Sequence, residues 1–249
     1  MAPIRPAPAH VAPAVVAPPP APVSNVGSGL RDDPNGDRMG LFPTASSLPA
    51  GQFLINDYEL FFLQFGVGVT DRLQLSLLAS VPVGGVFMSS LSAKYRYVDT
   101  PYVKLAGLLT GTVATAGGAT ATALSVGHAA TFCPTESCAI SLNLTGMLFT
   151  SFTGGGGSIL VGGLGAGFRV ASHVKLLVEF SSGGALTQES FVAIPGFAVT
   201  YGVRFFGDMF AGDILFVKPI SSSGGDILSA LPMGFPLVNF TYRFGTPGW

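Results

Sequence analysis

The chain has 249 residues and a mass of 25.5 kDa, with 12 Lys and Arg against 13 Asp and Glu, so that only 10% of it is charged. A soluble domain carries about 25%; with 34 Gly, 20 Phe and a mean hydropathy of +0.55, this chain lacks the polar groups to cover a water-facing surface. Its net charge of −1 offers no basic face for nucleic acid and no acidic tail, and the composition points to membrane lipid as its partner.

Residues 1 to about 24 form a Pro/Ala run that favours extended polyproline conformations and packs no core. Prolines interrupt every candidate apolar stretch, so no secretory signal is read there; an export signal is expected upstream of this numbering, or replaced by an added Met. The densest charge cluster follows, from Arg31 to Arg38. Its acidic spacing is faintly that of a calcium loop, but the closing glutamate is missing, and a solvated Asp-Pro-Asn-Gly turn is expected instead. Residues 1–44 are therefore taken as a disordered periplasmic tail with a turn-rich linker, free to meet a periplasmic partner, and 45–249 as a transmembrane β-barrel.

Only helices and closed barrels satisfy every backbone group in hydrocarbon. Helical spans have to be weighed, because 105–135 and 137–168 lack Asp, Glu, Lys and Arg. Both are dense in Gly, Thr and Ser, and neither is flanked by Lys/Arg clusters. Period decides between the two. Leu73, Leu75, Leu77, Ala79 and Val81 alternate with Gln74, Ser76 and Ser80. The same period of two recurs at Ile140/Leu142/Leu144, at Val174/Leu176/Val178/Phe180 and at Val238/Phe240/Tyr242/Phe244. Too few polar residues exist to cover two sheets of a sandwich, so the apolar face is expected to look outward into lipid.

Twelve strands are predicted, near 51–56, 58–69, 72–81, 87–98, 102–114, 119–132, 139–151, 158–171, 173–182, 190–206, 211–219 and 235–244. An even count suits an all-β, antiparallel up-and-down barrel with both termini on one side. Tight turns at Thr70-Asp71, Asp99-Pro101, Ser172-His173 and Gly207-Asp208 alternate with Gly/Ser-rich connections at 115–118, 154–157, 182–189 and 220–232. Short turns below and longer loops above are the outer-membrane pattern, which places Cys133 to Cys138 on the periplasmic side.

The last strand, Gly234 to Phe244, resembles the C-terminal β-signal of bacterial outer-membrane barrels: a Gly, then alternating aromatic and apolar residues ending in Phe. Gly68-Val69-Thr70-Asp71-Arg72-Leu73 is similar to a Gly-x-Thr-Asp-x-Leu hairpin found in small barrels of that group. Together these resemble the porin-like outer-membrane β-barrel superfamily. The resemblance implies a bacterial outer-membrane location, assembly by the barrel-assembly machinery, and transport of small solutes or ions.

Little in the chain suggests chemistry, so no enzyme, metal or cofactor is expected. Of three His, only His128 sits on a strand, and by alternation it faces lipid. That placement is similar to outer-membrane phospholipases, whose catalytic His faces outward with a Ser two residues on; here the position is Ala130. A lipid hydrolase is thus the third reading. Cys133 and Cys138 enclose four residues, and in an oxidising compartment a local disulfide that fixes the turn is expected.

The nine basic residues after position 50 all lie in predicted strands, while most acidic ones lie near turns. Charges facing lipid are costly, so Arg96, Lys104, Arg169, Lys175, Arg204 and Arg243 should point inward near the lower turns, with Lys94 a step above and Glu179 as acidic partner. Such a collar would favour anions in a narrow passive pore; the rival is that these cations pair with Glu179 and nearby aspartates. Small inward residues such as Gly163, Gly165, Gly167, Gly196, Thr200 and Gly202 leave space, whereas Leu60, Phe62, Leu78, Leu108 and Leu177 make part of the lumen apolar. The alternative to a pore is a non-conducting structural or anchoring barrel with a filled lumen. Tyr95, Tyr97, Phe197, Tyr201, Phe205, Tyr242 and Phe244 are expected to form aromatic girdles.

Overall fold

A computed structural model describes residues 33–246, apart from 60, 83, 154–156, 188–189, 194–195 and 221–231. The Pro/Ala tail, Leu60, Asp226 and His10 lie outside the described residues. No described residue is helical. The strands are β1 Phe53–Tyr58, β2 Phe62–Gly68, β3 Leu73–Ser80, β4 Val86–Asp99, β5 Val103–Ala116, β6 Ala119–Phe132 and β7 Ile140–Ser151. They continue as β8 Gly157–Ala171, β9 Val174–Leu186, β10 Phe191–Ala193, β11 Phe197–Phe206, β12 Phe210–Ile220 and β13 Phe235–Phe244.

Consecutive strands pair antiparallel around the sheet, and β1 pairs with β13 from Phe53 opposite Phe244 to Tyr58 opposite Asn239, which closes the barrel. Twelve strands form the wall. The three-residue β10 folds back on the end of β9, Phe191 opposite Leu186, within the connection to β11. The predicted strand 190–206 is thereby split into β10 and β11, with 194–195 between them outside the described residues.

Turns at 69–72, 100–102, 133–139, 172–173 and 207–209 mark one mouth, together with the start of β1 and the end of β13. Several connections at the opposite mouth are equally short: Gly117 and Gly118, with φ of +56° and +83°, join β5 to β6 in a two-residue hairpin turn. Both register shifts, between Arg96 and Val98 and between Arg169 and Ala171, lie at the first mouth. Each bulge adds one residue there, Tyr97 or Val170, and both side chains stand on the exterior.

The facing of the strands follows the period read from the sequence. Leu75 and Leu77 are exposed on the exterior, whereas Gln74 and Ser76 beside them are 2% and 8% exposed. Leu91, Leu109, Val126, Leu142, Leu164, Leu176, Phe240 and many others extend the apolar belt around the barrel. Tyr95, Tyr97, Phe197, Phe205, Tyr242 and Phe244 stand outward near its edges. Such an exterior is suited to hydrocarbon, with every central strand group paired in a ladder, and the chain is a transmembrane β-barrel.

The lumen is where expectation and structure part. Residues 33–50 run inside the barrel from the short-turn mouth, turn back at Gly40 and Leu41, and return to that mouth before β1. Met39 N–H bonds to Phe42 O at 2.9 Å, Thr44 N–H bonds to Asp37 O at 2.9 Å, and Arg38 bridges Pro43, so this inner segment is a hairpin. Asn35, Met39 and Ala45 are 0%, 1% and 0% exposed. The charge cluster is therefore not a solvated turn, and the stretch up to residue 44 is not all external linker. A chain with so few charges has placed Asp33, Asp37 and Arg38 of its densest cluster against the polar inner wall.

Candidate functional site

The hairpin is seated by side chains from most strands. Arg204 on β11 is fully buried and uses every donor it has. Its Nε and Nη2 bond the Asp213 carboxylate on β12 at 2.7 and 2.9 Å in a bidentate pair. Nη1 reaches Asp33 Oδ2 at 3.1 Å, Asn35 O at 2.7 Å and Arg38 O at 3.2 Å, and Nη2 also donates to Met39 O. Asn35 Nδ2 returns a bond to Asp213 at 3.1 Å. Lys175 on β9 adds a second cation 3.4 Å from Asp33. Burial alone would push the Asp33 carboxyl up, but Arg204 and Lys175 overcome it and hold Asp33 at about 2. Asp37 is likewise below its ordinary value: burial raises it, and Lys94, Arg38 and a Gln74 hydrogen bond lower it by more.

Glu179 on β9 receives the tip. Its oxygens accept the N–H of Leu41 at 2.7 Å and of Phe42 at 3.1 Å. The inward glycines of β8 make the room: a Cβ at Gly163 would lie 2.9 Å from the Phe42 ring, and one at Gly165 3.2 Å from Met39 Cγ. Met39 packs with Leu177, Leu215 and Leu237 in the lumen. Arg38 lies 4.2 Å over the Tyr58 ring and donates to Gln64 at 2.8 Å.

The returning strand is held more quietly. Lys94 on β4 donates to Asp37 O at 2.9 Å and Ser46 O at 2.7 Å, and Gln74 on β3 accepts from Leu48 N–H at 3.0 Å. Thr131 on β6 accepts from Ala45 N–H at 3.0 Å, and Thr145 on β7 donates to Pro43 O at 2.9 Å. Ala45 sits on Ala106 and Ala129, with Leu108 beside them.

Below the hairpin, at the short-turn mouth, remains a cavity of about 590 Å³. Arg96, Lys104, Arg169, Lys175 and Arg243 line it with Asp33, Asp37, Asp99 and Glu136. All eight residues read as pore-lining are thus on inward positions, but they do not form one open ring. Lys94, Glu179 and Arg204 grip the hairpin, Lys175 both holds Asp33 and lines the mouth cavity, and Arg96, Lys104, Arg169 and Arg243 face the mouth; Arg96 also pairs with Asp99 at 3.0 Å. The reason is neutralisation. Buried cations need partners, and the carboxylates and carbonyls of residues 33–46 provide them. Asp213 was not singled out from the sequence; Asp33, Asn35 and Asp37 were read only as parts of a solvated turn, and Gln74 only as a polar-face strand residue. The signal available was an acidic-rich cluster in a charge-poor chain, opposite in sign to the predicted collar.

Cys133 and Cys138 are bonded, with Cα atoms 4.8 Å apart, in the turn between β6 and β7. His128 faces outward, its Nδ1 3.3 Å from the Tyr97 hydroxyl, between Gly107 and Gly146 on the neighbouring strands. No serine stands at these positions to act as a nucleophile. Among the described residues no group of three or more His, Cys, Asp or Glu is placed to hold a metal ion.

This fold, a closed antiparallel barrel with twelve strands in its wall, is one that solved porin structures share. Among solved structures, the chain is similar to the KdgM porin in complex with disordered oligogalacturonate, at 8% identity and a TM-score of 0.53, over 78% of this chain and 98% of that one. It is similar also to the NanC porin, at 5% identity and a TM-score of 0.50, over 79% and 100% of the two chains. No protein-family model and no curated protein matches the sequence.

Proposed function

We propose that the protein is a non-enzymatic outer-membrane pore for small solutes that is held closed by its own N-terminal hairpin. The observation that carries this is the seating of residues 33–50 inside the lumen by Arg204, Glu179 and Lys94. A porin-like fold supports the pore, and the reversible nature of ion pairs and hydrogen bonds supports opening. With the hairpin withdrawn, the inner wall and mouth would present Lys94, Arg96, Lys104, Arg169, Lys175, Arg204 and Arg243 against Glu179, Asp213, Asp99 and Glu136, a balance that favours anions. A periplasmic partner that engages residues 1–32 would act on the hairpin through direct chain continuity at Asp33.

A second reading has its own support: Arg204 is so completely satisfied that the barrel would suit a permanently closed structural or anchoring role. Single-channel conductance in a planar bilayer separates the two. The intact chain is expected to be closed at neutral pH, and a chain lacking 33–50 to show anion-favouring steps, with Lys104→Glu and Arg204→Glu moving its reversal potential toward cations. A hairpin-less barrel that folds and conducts nothing would rule out the pore.

A further inference from the structure

Lipid favours an exterior without ionisable groups, and one stretch of this exterior breaks the rule. The outward positions of β3 to β9 carry apolar, hydroxyl or glycine residues, and among the described residues His128 on β6 is their one basic or acidic side chain. It stands four residues before Phe132, the end of β6, about 13 Å along the strand from the short-turn mouth. Tyr95, Gly107, His128 and Gly146 are register partners in one row across β4 to β7, so the histidine is in line with an aromatic of the girdle.

The row is sunk into a groove of about 690 Å³ on the outer face. A Cβ at Gly107 or at Gly146 would meet nothing within 4 Å, so the two positions flanking His128 are open. The next row toward the opposite mouth, Leu109, Val126, Leu148 and Leu160, forms an apolar ridge along the groove. A hydrocarbon chain matches these walls. The polar end is His128 with Tyr97, whose rings meet edge to face with the hydroxyl 3.3 Å from Nδ1. In either neutral tautomer this pair keeps one proton to give: on Nε2 if Tyr97 donates to Nδ1, on the Tyr97 hydroxyl if Nδ1 donates. Among the described residues the two side chains have no other hydrogen-bond partner.

A donor turned toward hydrocarbon without an acceptor is costly, and the acceptors a bilayer offers are the oxygens of its headgroups. We infer that this groove is a binding site for one phospholipid of the leaflet at the short-turn mouth. The phosphate accepts from the His128–Tyr97 pair, and an acyl chain fills the trough over Gly107 and Gly146. The site lies on the outside of the barrel, so it is independent of the hairpin and of pore opening.

Native mass spectrometry of the refolded full chain tests the site, with the protein released from micelles that hold dioleoyl-phosphatidylglycerol or, separately, dioleoylglycerol, which has the same chains and no phosphate. One phospholipid per chain is expected to be retained, saturating as its share of the micelle rises, with dioleoylglycerol held about tenfold less because it lacks the charged acceptor. His128→Leu, which removes the donor, should lower phospholipid retention by a similar factor, and Tyr97→Phe should lower it a few-fold. Gly146→Leu fills the trough and should also displace the lipid, while Gly111→Leu, equally open on β5 but outside the groove, leaves retention unchanged. If Gly146→Leu fails to fold, His128→Leu decides. Equal retention of the two lipids, or retention unaltered in the folded His128→Leu chain, would overturn the site. A dimer of the lipid-stripped chain that His128→Leu disperses would assign the groove to a second copy and overturn it as well.

Discussion

The hairpin is gripped on two flanks of opposite character. On one, β9, β11 and β12 meet residues 33–42 with Lys175, Glu179, Arg204 and Asp213, nearly all charge and all desolvated. On the other, β5, β6 and β7 meet residues 43–45 with alanine packing and the single hydroxyls of Thr131 and Thr145. Charged contacts fix position sharply, because a buried ion that loses its partner is heavily penalised, and they respond to protonation. Neutral contacts contribute less each and are indifferent to pH. A closed state held mainly by the first flank is therefore firm at neutral pH and releasable.

The largest break in this contrast is expected from Arg204→Met. It leaves Asp213 buried without its cation and Asp33 with Lys175 alone, and should cost the seated hairpin about 3–5 kcal/mol. Limited proteolysis should then cut after Arg38 in a barrel that still runs as folded. Acidification is expected to act next. Because the seated Asp33 is held at about 2, against an ordinary 3.8, its contribution to seating is full above about pH 4 and is lost as pH falls toward 2. Asp37 is shifted the same way. Protease access to the hairpin should rise across that window, and Asp33→Asn should flatten much of the rise.

A smaller effect is expected at the tip. Gly163→Val forces a side chain against Phe42, and overpacking of this kind costs about 1–3 kcal/mol. Proteolysis should increase at neutral pH without a change in its pH dependence. The smallest belongs to the neutral flank: Thr145→Val removes one hydrogen bond to Pro43 O, worth about 1 kcal/mol, and should barely alter cleavage. If Thr145→Val equalled Arg204→Met, the distinction between the flanks would fail.

The exterior was legible in the sequence for a simple reason. Lipid demands one chemistry over the whole surface, so the period of two appears plainly at Leu73, Leu75 and Leu77, and, apart from the split of 190–206, the strand limits fall within a few residues of those predicted. The inward placement of Arg96, Lys104, Arg169, Lys175, Arg204 and Arg243 follows from the same cost. The occupant of the lumen was not legible, because a hairpin of 18 residues with Asp, Asn, Gly and Pro has the local chemistry of an exposed turn. Its burial is decided by partners more than 130 residues away, such as Glu179 and Arg204. Gly163 and Gly165 were read as leaving space, and the space is taken by Phe42 and Met39.

The most direct test of the hairpin's location is labelling of Ala45→Cys, a position with no exposed surface, by a membrane-impermeant maleimide in the folded protein at neutral pH. Protection in the otherwise unaltered chain, and rapid modification once Arg204→Met is added, is the predicted result. Modification as fast in the unaltered chain as in denaturant would place residues 33–50 outside the barrel and contradict the account.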